Sequence, residues 1–211
     1  MSLTLYLLRH GETTFSLGRG FCGALDVELT DFGHQMAQAF AEAYRSLKWE
    51  AIYCSPMKRA KATATPLSEA VCLPLIVREG IRECNYGEWE GKSKEEVSRE
   101  FSSDYVHWMT EPAWNAPQGG ETAVDVRNRA MAVIAEIEER HTDGNVLVVA
   151  HRTTLRIVLC SLLGIDLGRY RDRMEYHAAS LSVVSFEKYG PLLERMGDRA
   201  YMPKALRERE G

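Results

Sequence analysis

The chain has 211 residues, 45% of them hydrophobic and 27% charged, and its 26 basic and 30 acidic side chains leave a net charge of −4. That is enough apolar material for one well-filled domain, and the bulk charge argues against a nucleic-acid or anionic-membrane surface. Any affinity for an anion must therefore be local.

The first predicted element is the apolar run TLYLL at 4–8, a buried strand that ends on Arg9-His10. A helix follows from the N-cap Thr30, with Phe32, Met36, Phe40, Ala43 and Leu47 at helical spacing. AIYC at 51–54 reads as a second strand, and the next helix is expected to take Ser55 as its cap and Pro56 at its first position. LPLIV at 73–77 is a weaker strand. The stretch from Asn85 to Gly120 changes texture: it is rich in Trp, Tyr, Glu and Pro with weak periodicity, and reads as an insertion or lid. A helix with Val126, Ala130, Val133, Ile134 and Ile137 on one face leads into NVLVVA at 145–150, and the helix after His151 stops at Gly164. LSVVSF at 181–186 is a further strand, and the charged tail KALREREG reads as solvated helix or disorder.

Strands apolar on both faces that alternate with amphipathic helices predict an α/β fold, a three-layer α/β/α sandwich with a mostly parallel central sheet. Residues 1–211 read as one domain, with the insertion at about 85–120. No run approaches membrane-spanning length, and the apolar stretch near residue 1 is too short for a secretory signal. The five cysteines are odd in number and lack any CxxC or zinc-type spacing, which suits free thiols in the cytoplasm.

In a parallel sheet the carboxyl ends of the strands share one edge, and ligands bind there. Arg9 and His10, Arg59 in the first turn after the second strand, and His151 after NVLVVA all arrive at that edge from distant parts of the sequence. Arginine matches phosphate oxygens with a planar fork of donors. The free N–H groups at the starts of the two following helices favour the same anion, and histidine can serve as nucleophile or proton donor. Any one of these residues alone is ordinarily structural; together they indicate a phosphoryl group.

The motifs LLRHGETTFS, FCGALDVELTDFGHQMA, YCSPMKRAKATA, IRECNYGEWEGKSKEEV, GGETAVDVRNRA and VLVVAHRTTLR, with LLERMGDRAYMP near the end, resemble the histidine phosphatase superfamily, also called phosphoglycerate-mutase-like. They do so collinearly over nearly the whole chain. The resemblance implies His10 as the nucleophile that becomes phosphohistidine, Arg9 and Arg59 as the phosphoryl clamp, His151 as a transition-state donor and Glu83 as general acid. It implies no metal and no cofactor. Ser16, Cys22, Gly23 and Arg152 fall at substrate-binding positions, with two departures: Phe15-Ser16 where many members have Trp-Asn, and Arg152 where many have Gly. Glu88 and Trp89 depart from the mutase pattern and favour a phosphatase.

The expected activity is a phosphomonoesterase for small phosphorylated metabolites, for sugar phosphates, for phosphoglycerate-type esters or of broad specificity; Arg152 either turns to solvent or pairs with an acid, or contacts the substrate, where with Arg82 it favours an extra acidic group. A cofactor-dependent phosphoglycerate mutase and a non-catalytic phospho-ligand module are the alternatives; the presence of His10 and Glu83 speaks against the second. The partner is a small-molecule phosphate ester, with no nucleic acid and no membrane. A homodimer would be unremarkable for an enzyme of this size.

Overall fold

The alternation of strands and helices read from the sequence closes into one mixed sheet in the computed structural model, which describes residues 2–18 and 20–209. Its strands are Leu3–Arg9 (β1), Trp49–Cys54 (β2), Leu75–Val77 (β3), Gly144–Ala150 (β4), Leu181–Glu187 (β5) and Gly190–Asp198 (β6), in the order β3-β2-β4-β1-β5-β6. The first four run parallel, whereas β5 and β6 pair antiparallel at one side. β6 runs antiparallel to β5 because only a tight turn at Lys188-Tyr189 separates them, too short for a crossover.

Period-two alternation along the central strands builds a core on each face. Val146 and Val148 face helices Ala123–Arg140 (α6) and Arg152–Leu163 (α7), while Leu147 and Val149 face helices Asp31–Tyr44 (α2) and Lys58–Val71 (α3). The result is the expected three-layer sandwich. The predicted face of α6 is buried throughout, and Thr122 caps it in a reciprocal box with Asp125.

Three local expectations are corrected. The buried side of α2 is Gly33, Met36, Ala37, Phe40 and Ala41, so Phe32 and Ala43 point outward. Ser55 does not cap α3, which starts two residues after Pro56 with Met57 as an uncapped N-cap, because the Ser55 hydroxyl is engaged with His151 at 2.7 Å. The tail takes the helical one of its two expected forms, Lys204–Arg207, but is not wholly solvated: Leu206 is buried, and Arg209 then reaches the fully buried Glu12 at 2.7 Å. A buried carboxylate needs a counter-cation, and Arg209 supplies it while its guanidinium lies 3.5 Å over the Phe32 ring. Arg209→Ala is expected to lower stability by about 3 kcal/mol, read from urea unfolding, because it strands the Glu12 charge; Arg207→Ala, on the exposed tail, is the control.

The segment after Asn85 folds as a short turn at Gly87–Trp89 and two helices, Lys94–Glu100 and Ser102–Thr110. Its aromatic residues pack on one another more than on the sheet. Trp89, wholly buried, lies with its ring 5.2 Å from Phe21 and 5.4 Å from Trp108 in edge-on contacts. Trp114 takes no part in this cluster and is 72% exposed. No helix among the described residues is long and apolar enough to cross a membrane.

Candidate active site

Strand register assembles the site. Arg9 lies opposite Ala150 in the parallel β1–β4 ladder, so the next residue on each strand, His10 and His151, emerges side by side at the carboxyl edge. Their ring centroids are 5.2 Å apart. The His10 N–H donates to the Ala150 carbonyl and the Ser55 N–H to the Val149 carbonyl, so the three strand ends stay tied together just beyond the ladder.

His10 Nδ1 lies 2.7 Å from the Gly11 carbonyl. A carbonyl only accepts, so Nδ1 carries the proton and Nε2 keeps its lone pair. The backbone here is pinned from two sides. The Gly11 N–H donates to Thr63 Oγ1 on α3, and Gly11 packs so closely on α2 that a Cβ would lie 2.6 Å from the Gly33 carbonyl oxygen. Any side chain at residue 11 would push the histidine out of place.

Arg59 is spread over three partners: Nη1 donates to the Leu25 carbonyl, Nη2 to the Gly23 carbonyl at 2.9 Å, and Nε to His151 Nδ1 at 3.2 Å. Gly23 can present its carbonyl this way because its φ of +48° suits glycine, and a Cβ would meet the Glu90 carboxylate. Since Nδ1 of His151 accepts from Arg59, its proton sits on Nε2 and is donated to Ser55. Arg9 donates to the Tyr176 carbonyl at 2.6 Å. Burial, then the neighbouring Arg152, presses the Arg9 guanidinium down to about 9, which leaves it a cation at neutral pH.

Both imidazoles are held neutral. Burial is the largest cause, followed by the Arg59 cation, and each titrates well below the ordinary histidine value of 6.5. An unfolded chain takes up these two protons near pH 6.5 while the folded one refuses them, so stability is present above 6.5 and lost as pH falls. Between pH 7.5 and 5.5 the pair is expected to cost about 2.5 kcal/mol of unfolding free energy in urea titrations; a flat profile would contradict the buried neutral state.

Glu83 is placed by the start of α7. Its Oε1 accepts from the Cys84 and Thr154 N–H groups at 2.9 and 3.2 Å, and its Oε2 accepts from the Thr153 N–H at 3.2 Å. This revises the expectation that the helix starts offer free N–H groups to a bound anion. At α7 the Glu83 carboxylate already occupies them, and at α3 Asp26 takes the Lys58 N–H at 2.8 Å. These three N–H groups are thus taken, and the cations nearest His10 on the cavity wall are the side chains of Arg9 and Arg59.

Arg9, His10, Arg59 and Glu83 line one cavity of about 680 Å³, together with Ser16, Cys22, Gly23 and Arg152. His151 stands immediately behind it through Arg59. Ser16 spends its hydroxyl on the backbone of Thr13, accepting from N–H and donating to C=O at 2.8 Å each. Arg152 pairs with Glu175 at 3.1 Å while still lining the cavity. Arg82 is not on the cavity wall; it pairs with Glu121, so its expected role in selecting acidic substrates is withdrawn. Of the insertion aromatics, Tyr86, Tyr105 and Trp108 reach the cavity and Trp89 and Trp114 do not. Sequence reading overlooked Ser55, Thr63, Thr153 and Arg156. Two of them were findable by helical spacing, since Thr63 lies four residues after Arg59 and Arg156 four after Arg152, on the same helix faces.

Comparison with known proteins agrees with this geometry. The model of the histidine phosphatase superfamily (branch 1) matches residues 5–199. Phosphoserine phosphatase 1 of Hydrogenobacter thermophilus is 34% identical over 87% of this chain and 87% of its own length. A glucosyl-3-phosphoglycerate phosphatase of Mycolicibacterium vanbaalenii is 31% identical over 79% and 76%. A 2,3-bisphosphoglycerate-dependent phosphoglycerate mutase of Mesorhizobium japonicum is 32% identical over 78% and 83%. Among solved structures, Bacillus stearothermophilus YhfR superposes with a TM-score of 0.88 at 29% identity, covering 95% of this chain and 99% of that one. With the match running from the first strand to the last, the chain belongs to the histidine phosphatase superfamily.

Proposed function

We propose that the protein is a metal-independent phosphomonoesterase that works through a phosphohistidine on His10 and acts on small phosphorylated metabolites. The observation that carries the reading is the pinned tautomer of His10, whose free Nε2 lone pair stands beside Arg9 and Arg59 on the wall of one cavity.

The cycle follows from the groups present. Arg9 and Arg59 hold the phosphoryl oxygens. Nε2 of His10 forms the N–P bond as the ester P–O bond breaks in line, and Glu83, protonated at that moment, gives its proton to the leaving alkoxide. Oε2, with one N–H donor, is the less engaged oxygen and the one free to exchange the proton. Water then gives a proton back to Glu83 and attacks phosphorus, the N–P bond breaks, and phosphate leaves. His151, neutral, accepts from Arg59 Nε through Nδ1 and donates to Ser55 through Nε2, so it fixes the guanidinium that faces the phosphoryl group, in place of the direct donation that the resemblance implies. Such a cycle rests on positioning and electrostatics. A wall dominated by guanidinium groups repels a divalent cation, which supports the metal-free reading. Three of the five free cysteines, Cys54, Cys84 and Cys160, are buried, which fits the cytoplasm as the proposed compartment.

Hydrolysis of p-nitrophenyl phosphate in EDTA tests the proposal directly. Turnover is expected with EDTA present. No turnover overturns the phosphatase reading, and turnover lost only on chelation overturns the metal-free one. Interconversion of 3- and 2-phosphoglycerate, primed with 2,3-bisphosphoglycerate and faster than phosphate release, would put the mutase in its place.

A further inference from the structure

Glu121 and Arg129, both from the motif GGETAVDVRNRA, do not line the cavity, so neither meets a substrate directly. Both side chains are mostly buried, and they form a two-pronged ion pair: Arg129 Nε donates to Glu121 Oε1 at 2.8 Å and Nη2 donates to Oε2 at 3.0 Å. The rest of the guanidinium turns to the chain that carries Glu83. Nη1 donates to the Gly80 carbonyl at 2.7 Å and to the Arg82 carbonyl at 2.8 Å, and Nη2 donates to the Glu83 carbonyl at 3.1 Å. A guanidinium has five N–H donors, and all five are engaged. Glu121 completes the grip: its carboxylate accepts from the Asn85 N–H at 2.9 Å, and its own N–H donates to the Asn85 carbonyl.

These bonds matter because residues 82–86 belong to neither a helix nor a strand, so no ladder fixes their path. The Arg82 carbonyl is held from two sides, by Arg129 on α6 and by the Thr154 hydroxyl on α7 at 2.7 Å. Bonds from α7 locate the Glu83 carboxylate; bonds from Arg129 locate its backbone. Proton transfer requires the acid within hydrogen-bond reach of the leaving oxygen, and a misplacement of about 1 Å can cost on the order of a hundredfold in rate. A lysine at residue 129 would keep the charge but not the fork, since an ammonium is a point charge with three donors and cannot span three carbonyls and a carboxylate.

We infer that Arg129, braced by Glu121, is the positioning residue of the general acid: it moulds the segment from Gly80 to Asn85 so that the Glu83 carboxylate reaches the cavity wall on which His10 stands. The inference rests on the reading of Glu83 as the acid. It gives the GGETAVDVRNRA motif a part in proton transfer at a distance from the substrate. Its consequence is selective: loss of the mould should hurt esters that need a proton on the departing oxygen and spare those that do not.

The test compares kcat/KM, which reports the steps up to the phosphoenzyme, for two esters of like shape: phenyl phosphate, whose leaving phenolate is the stronger base, and p-nitrophenyl phosphate. Both are measured in wild type, Arg129→Lys, Glu83→Gln and the double variant. Arg129→Lys is expected to lower kcat/KM for phenyl phosphate by about tenfold or more and that for p-nitrophenyl phosphate by less than about threefold. Added to Glu83→Gln, the same substitution should cost less than about twofold with phenyl phosphate, because no acid is left to position. Equal losses for the two esters in Arg129→Lys, or losses that add in the double variant, overturn the inference and leave Arg129 a residue of stability alone. Because the comparison is made within each enzyme, partial misfolding cancels. Should Arg129→Lys yield no folded protein, Glu121→Gln carries the test: it weakens the brace, and a selective loss of about threefold for phenyl phosphate is expected, its absence overturning the inference. Failure of Glu83→Gln itself to separate the two esters strikes the general-acid reading instead, so the two failures are distinct.

Discussion

His10→Ala is expected to lower kcat by at least about 10⁴, the scale seen when a nucleophile is removed from a preformed site. The variant should remain folded, because among the described residues the imidazole's only hydrogen bond is to the adjacent Gly11 carbonyl, and it should still bind inorganic phosphate through Arg9 and Arg59. Loss of turnover with retained binding separates a nucleophile from a clamp residue. In wild type, rapid quenching during turnover of a ³²P-labelled ester should give labelled protein whose N–P bond survives alkali and is lost in acid, with the label absent from His10→Ala. A variant that retains more than a tenth of wild-type turnover would remove His10 from the mechanism.

Glu83→Gln is the second large effect, and its signature depends on the leaving group. Alkyl phosphates need a proton on the departing oxygen, so their kcat should fall by about 10²–10⁴, the usual range for a general acid. p-Nitrophenolate leaves without one. With that ester the first step should survive while hydrolysis of the phosphoenzyme, which needs Glu83 as base, slows. The expected trace is a burst approaching one equivalent of p-nitrophenolate per site, followed by slow release. Equal losses for alkyl and aryl esters without a burst would leave Glu83 a positioning residue, which its bonds to the Thr153 and Thr154 N–H groups would also permit.

Much of the site could be read from the sequence because it depends on strand ends. An apolar run that stops at Arg9-His10 and another that stops before His151 needed only a shared parallel edge to meet, and the register Arg9 to Ala150 provides that edge. What escaped depends on which groups are already engaged. The free N–H groups of α7 looked available to a phosphate until Glu83, some seventy residues earlier, was seen to occupy them. Arg82 and Arg156 are both arginines near motif positions; only three-dimensional packing shows that the first is paired with Glu121, while the second has its Nε unpartnered among the described residues and Glu175 4.0 Å away. Phe32 fits an apolar helical face by spacing, yet it lies one position off the buried stripe, under the Arg209 guanidinium. The aromatic insertion lacks period because its side chains pack mostly on one another, not on a flat sheet.

The bond between Glu12 and Arg209 spans 197 residues. Glu12 follows the proposed nucleophile by two positions, on the loop that leaves β1, and so is synthesised long before Arg209. During translation that loop must wait, with an unneutralised carboxylate, until residue 209 has been made and has room to fold back. Refolding should therefore show sheet formation before phosphate affinity, as the nucleophile's loop is secured by a contact that closes 197 residues of chain.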